Sequence, residues 1–329
     1  MRKIFCTAGY FLLALSLSSL FAAEEFTSEK QIAEKADILR DFQIQGEYLV
    51  EKTPEPGGLN IIADGGGKFR ITAYSGGLPG QGWTPDKEKR TGTAVLSEDG
   101  KQLTIKIGDD TDVCQVGDGM LKKEGAGPLK KVIRKSPTLG LAPPAGAVVL
   151  FADGKKSDLI THGQVNEETK TLWAEVTTKP FEKKPYTLHV EFMLSYMPAA
   201  RGQGRSNSGV YLDERYECQI LDSFGLKGEN NECGGIYQQA KPKLNMCFPP
   251  MQWQTYDFDF VPAMWNADKT KISNAKVTVK LNGVVIYEDL ELKSHTPGRK
   301  NEAPEPLGLY LQGHGNKVQF QNIWLKYKD

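Results

Sequence analysis

The chain has 329 residues, 39% of them apolar and 25% charged, which is long for one ordinary domain and too apolar for a disordered polypeptide. Its 41 basic and 41 acidic residues cancel, so the charge balance points to neither nucleic acid nor an anionic membrane surface. A neutral ligand such as a sugar meets no net opposition.

The first 23 residues read as a secretory signal. Arg2 and Lys3 form a positive start, residues 11–20 are largely apolar, and Phe21, Ala22 and Ala23 precede the acidic Glu24. The expected location is therefore secreted or periplasmic, with no membrane span once the signal is cleaved. Export permits disulfides, and loss of Cys6 leaves four cysteines. Cys233 and Cys247 lie in neighbouring Gly- and Pro-containing loops and form the preferred pair. Cys218, inside a strand pattern, reads as a buried free thiol, and Cys114 lies in another domain. Without a Cys-x-x-Cys motif or a close His pair, a structural zinc site is not expected.

Residues 27–39 suit a short helix or a polar leader. A small antiparallel β domain is expected over 24–135, with alternating strands at 42–50 and 68–74 and further strands at 92–96, 103–107 and 113–116. It holds no histidine and no catalytic set. Residues 136–146, rich in Pro and Gly, read as a linker. A second all-β domain is expected over 147–329. Its strands include 186–194, 208–212, 216–221, 256–260, 277–281, 284–287, 307–312 and 318–327, and Asn282-Gly283 signals a type I′ hairpin. Alternation puts Tyr216, Cys218 and Ile220 on a core face and Glu217 and Gln219 on the opposite one. Likewise His189 and Glu191 oppose Leu188, Val190 and Phe192. Such an outer face, mixing amides, carboxylate and rings, suits a sugar cleft.

Seven segments in order carry a resemblance. They are Leu-Phe-Ala-Asp-Gly at 150–154, Asn-Ser-Gly-Val-Tyr-Leu at 207–212, Tyr-Glu-Cys-Gln-Ile-Leu-Asp-Ser at 216–223, Cys-Gly-Gly-Ile-Tyr at 233–237, Trp-Gln-Thr-Tyr-Asp at 253–257, Lys-Val-Thr-Val-Lys-Leu-Asn-Gly at 276–283, and Leu-Gln-Gly-His-Gly-Asn at 311–316 followed by Phe-Gln-Asn-Ile-Trp at 320–324. From about Val148 onward the chain resembles the 3-keto-disaccharide hydrolase domain family. The added segments at 201–205 and 245–250 look like its large planctomycete-type branch. The resemblance implies a concanavalin A-like jelly-roll sandwich acting on glycosides whose C3 hydroxyl a separate dehydrogenase has oxidised. A C3 ketone acidifies the C2 proton, so a side-chain base removes it and the enolate expels the group at C1. One departure stands out: where the family carries Gln-Asp-His-Gly, this chain has Gln312, Gly313, His314 and Gly315.

Glu217 and His314 are the candidate catalytic pair, with His314 preferred as the base because it is an imidazole in a glycine-flanked loop at a strand end. Arg205, Asn207, Tyr211, Gln219, Tyr237 and Gln312 are candidate substrate-binding residues. No cofactor is certain from the sequence, and a divalent metal stays open. A divalent ion on Glu217 and His314 would chelate the C2 hydroxyl and C3 ketone, but two ligands alone do not make a metal site. A non-catalytic glycan-binding or cell-surface adhesion module stays open as the alternative. An ordinary glycosidase would need a second carboxylate about 5–9 Å from Glu217.

Overall fold

The computed structural model describes residues 23–50 and 56–328; all of the expected signal segment except Ala23 lies outside them. The polar leader folds as two helices, Glu29–Ala33 and Ala36–Ile44. Ser28 caps the first, its hydroxyl accepting from the Gln31 amide at 3.3 Å. The expected strand at 42–50 is corrected: Phe42 to Ile44 form the last turn of the second helix, and the strand is Gly46–Val50. Phe42 is held in the helix by packing, its ring meeting Tyr196 edge-on with centroids 5.2 Å apart.

Eight antiparallel strands then close a barrel. Their order around it is Gly46–Val50, Leu129–Val132, Met120–Lys123, Asp110–Gly117, Gln102–Ile107, Lys89–Leu96, Lys68–Ser75 and Gly57–Gly65. Closure leaves no open edge in this small sheet. Ile61, Phe69, Ile71, Leu103 and Leu121 fill its interior.

The C-terminal part is a sandwich of two antiparallel sheets. One runs Lys155–Lys156, Val148–Ala152, Gln319–Tyr327, Tyr186–Met193, Trp253–Val261, Ala275–Leu281 and Val284–Leu292, with two short strands added at its side. The other runs Ile160–His162, Val176–Thr178, Tyr310–Leu311, Asn207–Leu212 and Tyr216–Leu221. Leu188, Val190 and Phe192 of the first sheet and Val210, Cys218, Ile220 and Leu311 of the second share one core, as their alternation requires. Asn282 and Gly283 both have positive φ, 51° and 79°, between paired strands, which is the I′ hairpin expected there.

Residues 136–142 are not a free tether. They lie over the outer face of the first sheet, where the polar side of the alternation would otherwise meet water. Thr138 donates to Asp257 at 2.7 Å, the Gly140 amide donates to Glu191 at 2.6 Å, and the Leu141 carbonyl accepts from Asn322 and Trp324. Beneath them His189 is fully buried. It lies 2.6 Å from Asp257 and 3.3 Å from Glu191, and its ring stacks on Trp324. Burial opposes a charge on His189, but its bonds to the two carboxylates outweigh burial and raise its pKa. A raised folded-state pKa stabilises the fold fully below the unfolded value of about 6.5, and that stability is lost as pH rises through the folded value. The melting-temperature difference between wild type and His189→Gln should therefore be largest near pH 6 and shrink toward pH 9. A difference independent of pH would remove the charge from this account.

The expected disulfide is corrected. Cys233 and Cys247 are buried free thiols, like Cys114 and Cys218. Their loops bring them close, but each thiol is satisfied without a bridge. Cys233 contacts the Tyr256 hydroxyl at 3.4 Å, and Cys247 donates to the Leu221 and Phe248 carbonyls at 3.5 Å.

The barrel and sandwich share a packed seam. Tyr196, from the sandwich, lies in the barrel core beside Phe26 and Phe42. Arg134, just past the last barrel strand, is paired with buried Glu47, and its guanidinium stands 4.9 Å from the Phe248 ring centroid.

Candidate active site

The outer face of the five-stranded sheet carries a pocket of 170 Å³. It is lined by Gln203, Asn207, Tyr211, Glu217, Gln219, Tyr237, Pro297, Gln312 and His314. Strand geometry explains the cluster. Tyr211 and Glu217 face each other directly across an antiparallel pair, Gln219 lies two residues on from Glu217, and the Gln312 amide donates to the Gly209 carbonyl at 2.9 Å. Gly209 stands opposite Gln219, and the Glu217 carboxylate leans into the space that any larger side chain at 209 would fill.

Glu217 is the buried floor of this pocket. The Tyr211 hydroxyl donates to its Oε2 at 2.7 Å, and Gln312 donates to Tyr211 at 3.3 Å. With its amide turned toward the carboxylate, Gln219 donates to Glu217 Oε1 at 2.7 Å. Burial pushes the Glu217 carboxyl up to about 7, with the Tyr211 bond and the Arg299 charge restraining the rise. The group thus divides between acid and base near neutral pH, which is the condition for proton transfer. His314 is exposed at the rim, on the loop after Tyr310–Leu311.

Of the residues expected from sequence, seven line this pocket and one does not. Arg205 is corrected from substrate contact to structural seam. It is 2% exposed, bonded to Asp222 at 2.6 Å, and donates to the carbonyls of Ala63, Pro198 and Ala200. A barrel strand more than a hundred residues earlier supplies part of that cage, so the local sequence carried no sign of it. Its neighbour Gln203 occupies the pocket instead, accepting from Asn207 at 3.0 Å and donating to the Asn231 carbonyl at 2.8 Å.

Sequence reasoning also missed Arg299. Its guanidinium covers the Tyr310 ring at 3.9 Å and stands 5.1 Å from the Tyr211 ring centroid, while its Nε is buried with no partner among the described residues. Nothing in the loop around it marks that role; only the stacking does. Arg299→Met should raise the Glu217 carboxyl further above its ordinary range. Whatever step needs ionised Glu217 would then move to higher pH, and Arg299→Lys would move it less. Infrared titration of the carboxyl stretch reads this directly, and an unmoved band in Arg299→Met would remove Arg299 from the account.

A divalent ion does not fit the donor set. Glu217 and His314 are the only carboxylate and imidazole lining the pocket, and no group of three His, Cys, Asp or Glu side chains suited to a metal occurs among the described residues.

Residues 144–326 match the 3-keto-alpha-glucoside-1,2-lyase-like domain. The chain belongs to this family. It is accordingly a carbohydrate-active protein, and the match spans the whole sandwich with the pocket in it. A crystal structure from Parabacteroides distasonis ATCC 8503, named a "putative glycosyl hydrolase", is 25% identical over 56% of this chain and 84% of its own, with a TM-score of 0.48. Another of the same name and organism is 16% identical over 55% of this chain and 88% of its own, with a TM-score of 0.37. No curated protein matches the chain.

Proposed function

We propose that the family member described here is an exported lyase that cleaves 3-keto-glycosides by β-elimination, with Glu217 as the base. The observation that carries this reading is a buried carboxyl, held near pH 7, on the floor of a polar pocket with room for one sugar ring rather than a chain. Ionised Glu217 takes the C2 proton, and the C–H electron pair becomes the C2=C3 enolate. The enolate collapses back to the ketone as C1=C2 forms and the C1–O bond breaks. The departing alkoxide takes a proton from His314 or solvent at the open rim. The products are an unsaturated 3-keto sugar and the free alcohol; adding water across C1=C2 would complete a hydrolysis. Burial supports this division of labour over one with His314 as the base, since the sugar ring enters the pocket and the aglycone projects outward.

Of the lining amides, Gln312 has one N–H committed to Tyr211 and its other N–H without a partner among the described residues, so it is the donor left to meet the enolate oxygen. Among the described residues lining the pocket Glu217 is the only carboxylate, so the lining gives no support to a two-carboxylate glycosidase mechanism. Gly313 favours the second reading, a glycan-binding module, by leaving His314 without the acidic neighbour found in the family motif. The test is incubation with 3-keto-glucosides and their unoxidised parents in deuterated water, followed by NMR. Deuterium at C2 of the remaining keto-sugar, and an unsaturated product formed from the keto-sugar alone, are expected. Glycan binding without either would establish the binding module instead.

A further inference from the structure

On the far side of the loop that borders the pocket, the barrel and sandwich enclose a cleft of 420 Å³. Lys87 and Lys89 reach it from the barrel, and Lys227, Lys241 and Lys243 from the sandwich; Glu229 is the only acid in its lining. In a chain whose charges cancel overall, this is a local accumulation. It is also poorly neutralised. Lys243 stands 3.7 Å from Glu288, whereas neither Lys227 nor Lys241 has a hydrogen-bond or ion-pair partner among the described residues. Lys89 stands 5.7 Å from the centroid of the largely buried Trp83 ring. Burial and then Lys227 both disfavour its charge, with only Glu232 and Glu229 opposing them. Two domains thus hold like charges against each other, an arrangement that an anion between them would relieve.

The cleft continues into an apolar hollow of 530 Å³. The two share Lys89, Leu226 and Lys227; the exposed Thr91 and Thr93 and the acid Glu232 also line the hollow, whose Ile62 and Ile71 are themselves buried. Cations at one end and a hollow lined by Leu226 and threonine methyls at the other match a ligand with spaced anionic groups and C–H faces. The groove also adjoins the catalytic pocket. The Asn231 carbonyl, a few residues past Lys227, accepts from pocket residue Gln203, and Tyr237 at the end of the same loop lines the pocket.

We propose that this inter-domain groove binds an acidic glycan segment, carboxylated or sulfated, and so selects glycosides carried on or beside anionic chains. The proposal rests on the carbohydrate-active reading, but its test reads binding apart from turnover. The full-length mature protein would be titrated calorimetrically at low salt with oligogalacturonate, with a sulfated oligosaccharide, and with a neutral oligoglucoside of equal length. At least one acidic glycan should bind, with the two acidic arms separating carboxylate from sulfate recognition, and the neutral one should bind about tenfold more weakly or worse. Lys89→Gln/Lys227→Gln should lose about tenfold or more for the acidic ligand, and Lys227→Glu should behave alike. Turnover of a small uncharged 3-keto-glucoside should be the same in all three proteins, which also certifies folding. Equal affinity for neutral and acidic glycans, or undiminished binding in both variants, would overturn the proposal. So would a duplex DNA of equal charge bound as tightly and lost in the same variants. If the wild type turns over no keto-glucoside yet binds as described, the lyase reading fails and the groove stands. In that case near-ultraviolet circular dichroism replaces turnover as the folding check.

Discussion

Glu217→Gln is expected to lower the elimination rate on a 3-keto-glucoside by roughly 10²–10⁴-fold while making the protein more stable above neutral pH. The first effect follows from removing the base. The second follows from the cost of keeping this carboxyl where it is. Its folded pKa of about 7 lies above the ordinary glutamate value of 4.5. Between those values the unfolded chain ionises and the folded one does not, so stability falls as pH rises through that window and levels off above it. The shift corresponds to about 3 kcal/mol at pH 8, as an upper figure. Glutamine keeps an acceptor for Tyr211 and carries no charge. Denaturation and single-turnover kinetics on the same samples test both halves. A variant that is slower but no more stable at pH 8 would mean that the carboxyl is not held at an elevated pKa.

Arg205→Met should be the most damaging single change for folding, costing about 3–5 kcal/mol. It leaves Asp222 buried without its cation and empties the cage that joins barrel to sandwich. Pairing it with Asp222→Leu should return part of the loss, because the uncompensated charge is then gone as well. Urea denaturation of the single and double variants decides this. A loss below 1 kcal/mol in the single variant would show that Arg205 is not the tie it appears from its bonds. Since Arg205 does not line the pocket, pH dependence of turnover should be unchanged in any folded Arg205 variant.

The parts legible in sequence were those governed by local period. Alternation alone separated Glu217 and Gln219 from Cys218 and Ile220, and the structure puts the first pair in the pocket lining and the second in the core. Asn282-Gly283 announced its turn because few other dipeptides tolerate two positive φ angles. Distant contacts were not legible. Arg205 sits among glycines and reads as a loop cation, yet a barrel carbonyl at Ala63 decides its role. Phe42 fits a strand period until Tyr196 is known to pack on it from the other domain. Asp257 alternates onto an outer face that looks solvated, and only residues 136–142 convert that face to an interior. Arg299 is held beside the pocket by ring stacking, for which a single sequence has no pattern.

Tyr196 in the barrel core has a consequence for cutting the chain. The family match starts at residue 144, which invites removal of everything before it. Such a fragment would carry Tyr196 into water without Phe26 and Phe42, and Arg205 without the Ala63 carbonyl. It would also lose the strip at 136–142 that covers Glu191 and Asp257. The stretch recognisable across relatives is therefore shorter than the stretch that can stand alone in solution, and a soluble piece should begin near Phe26 rather than at the family boundary.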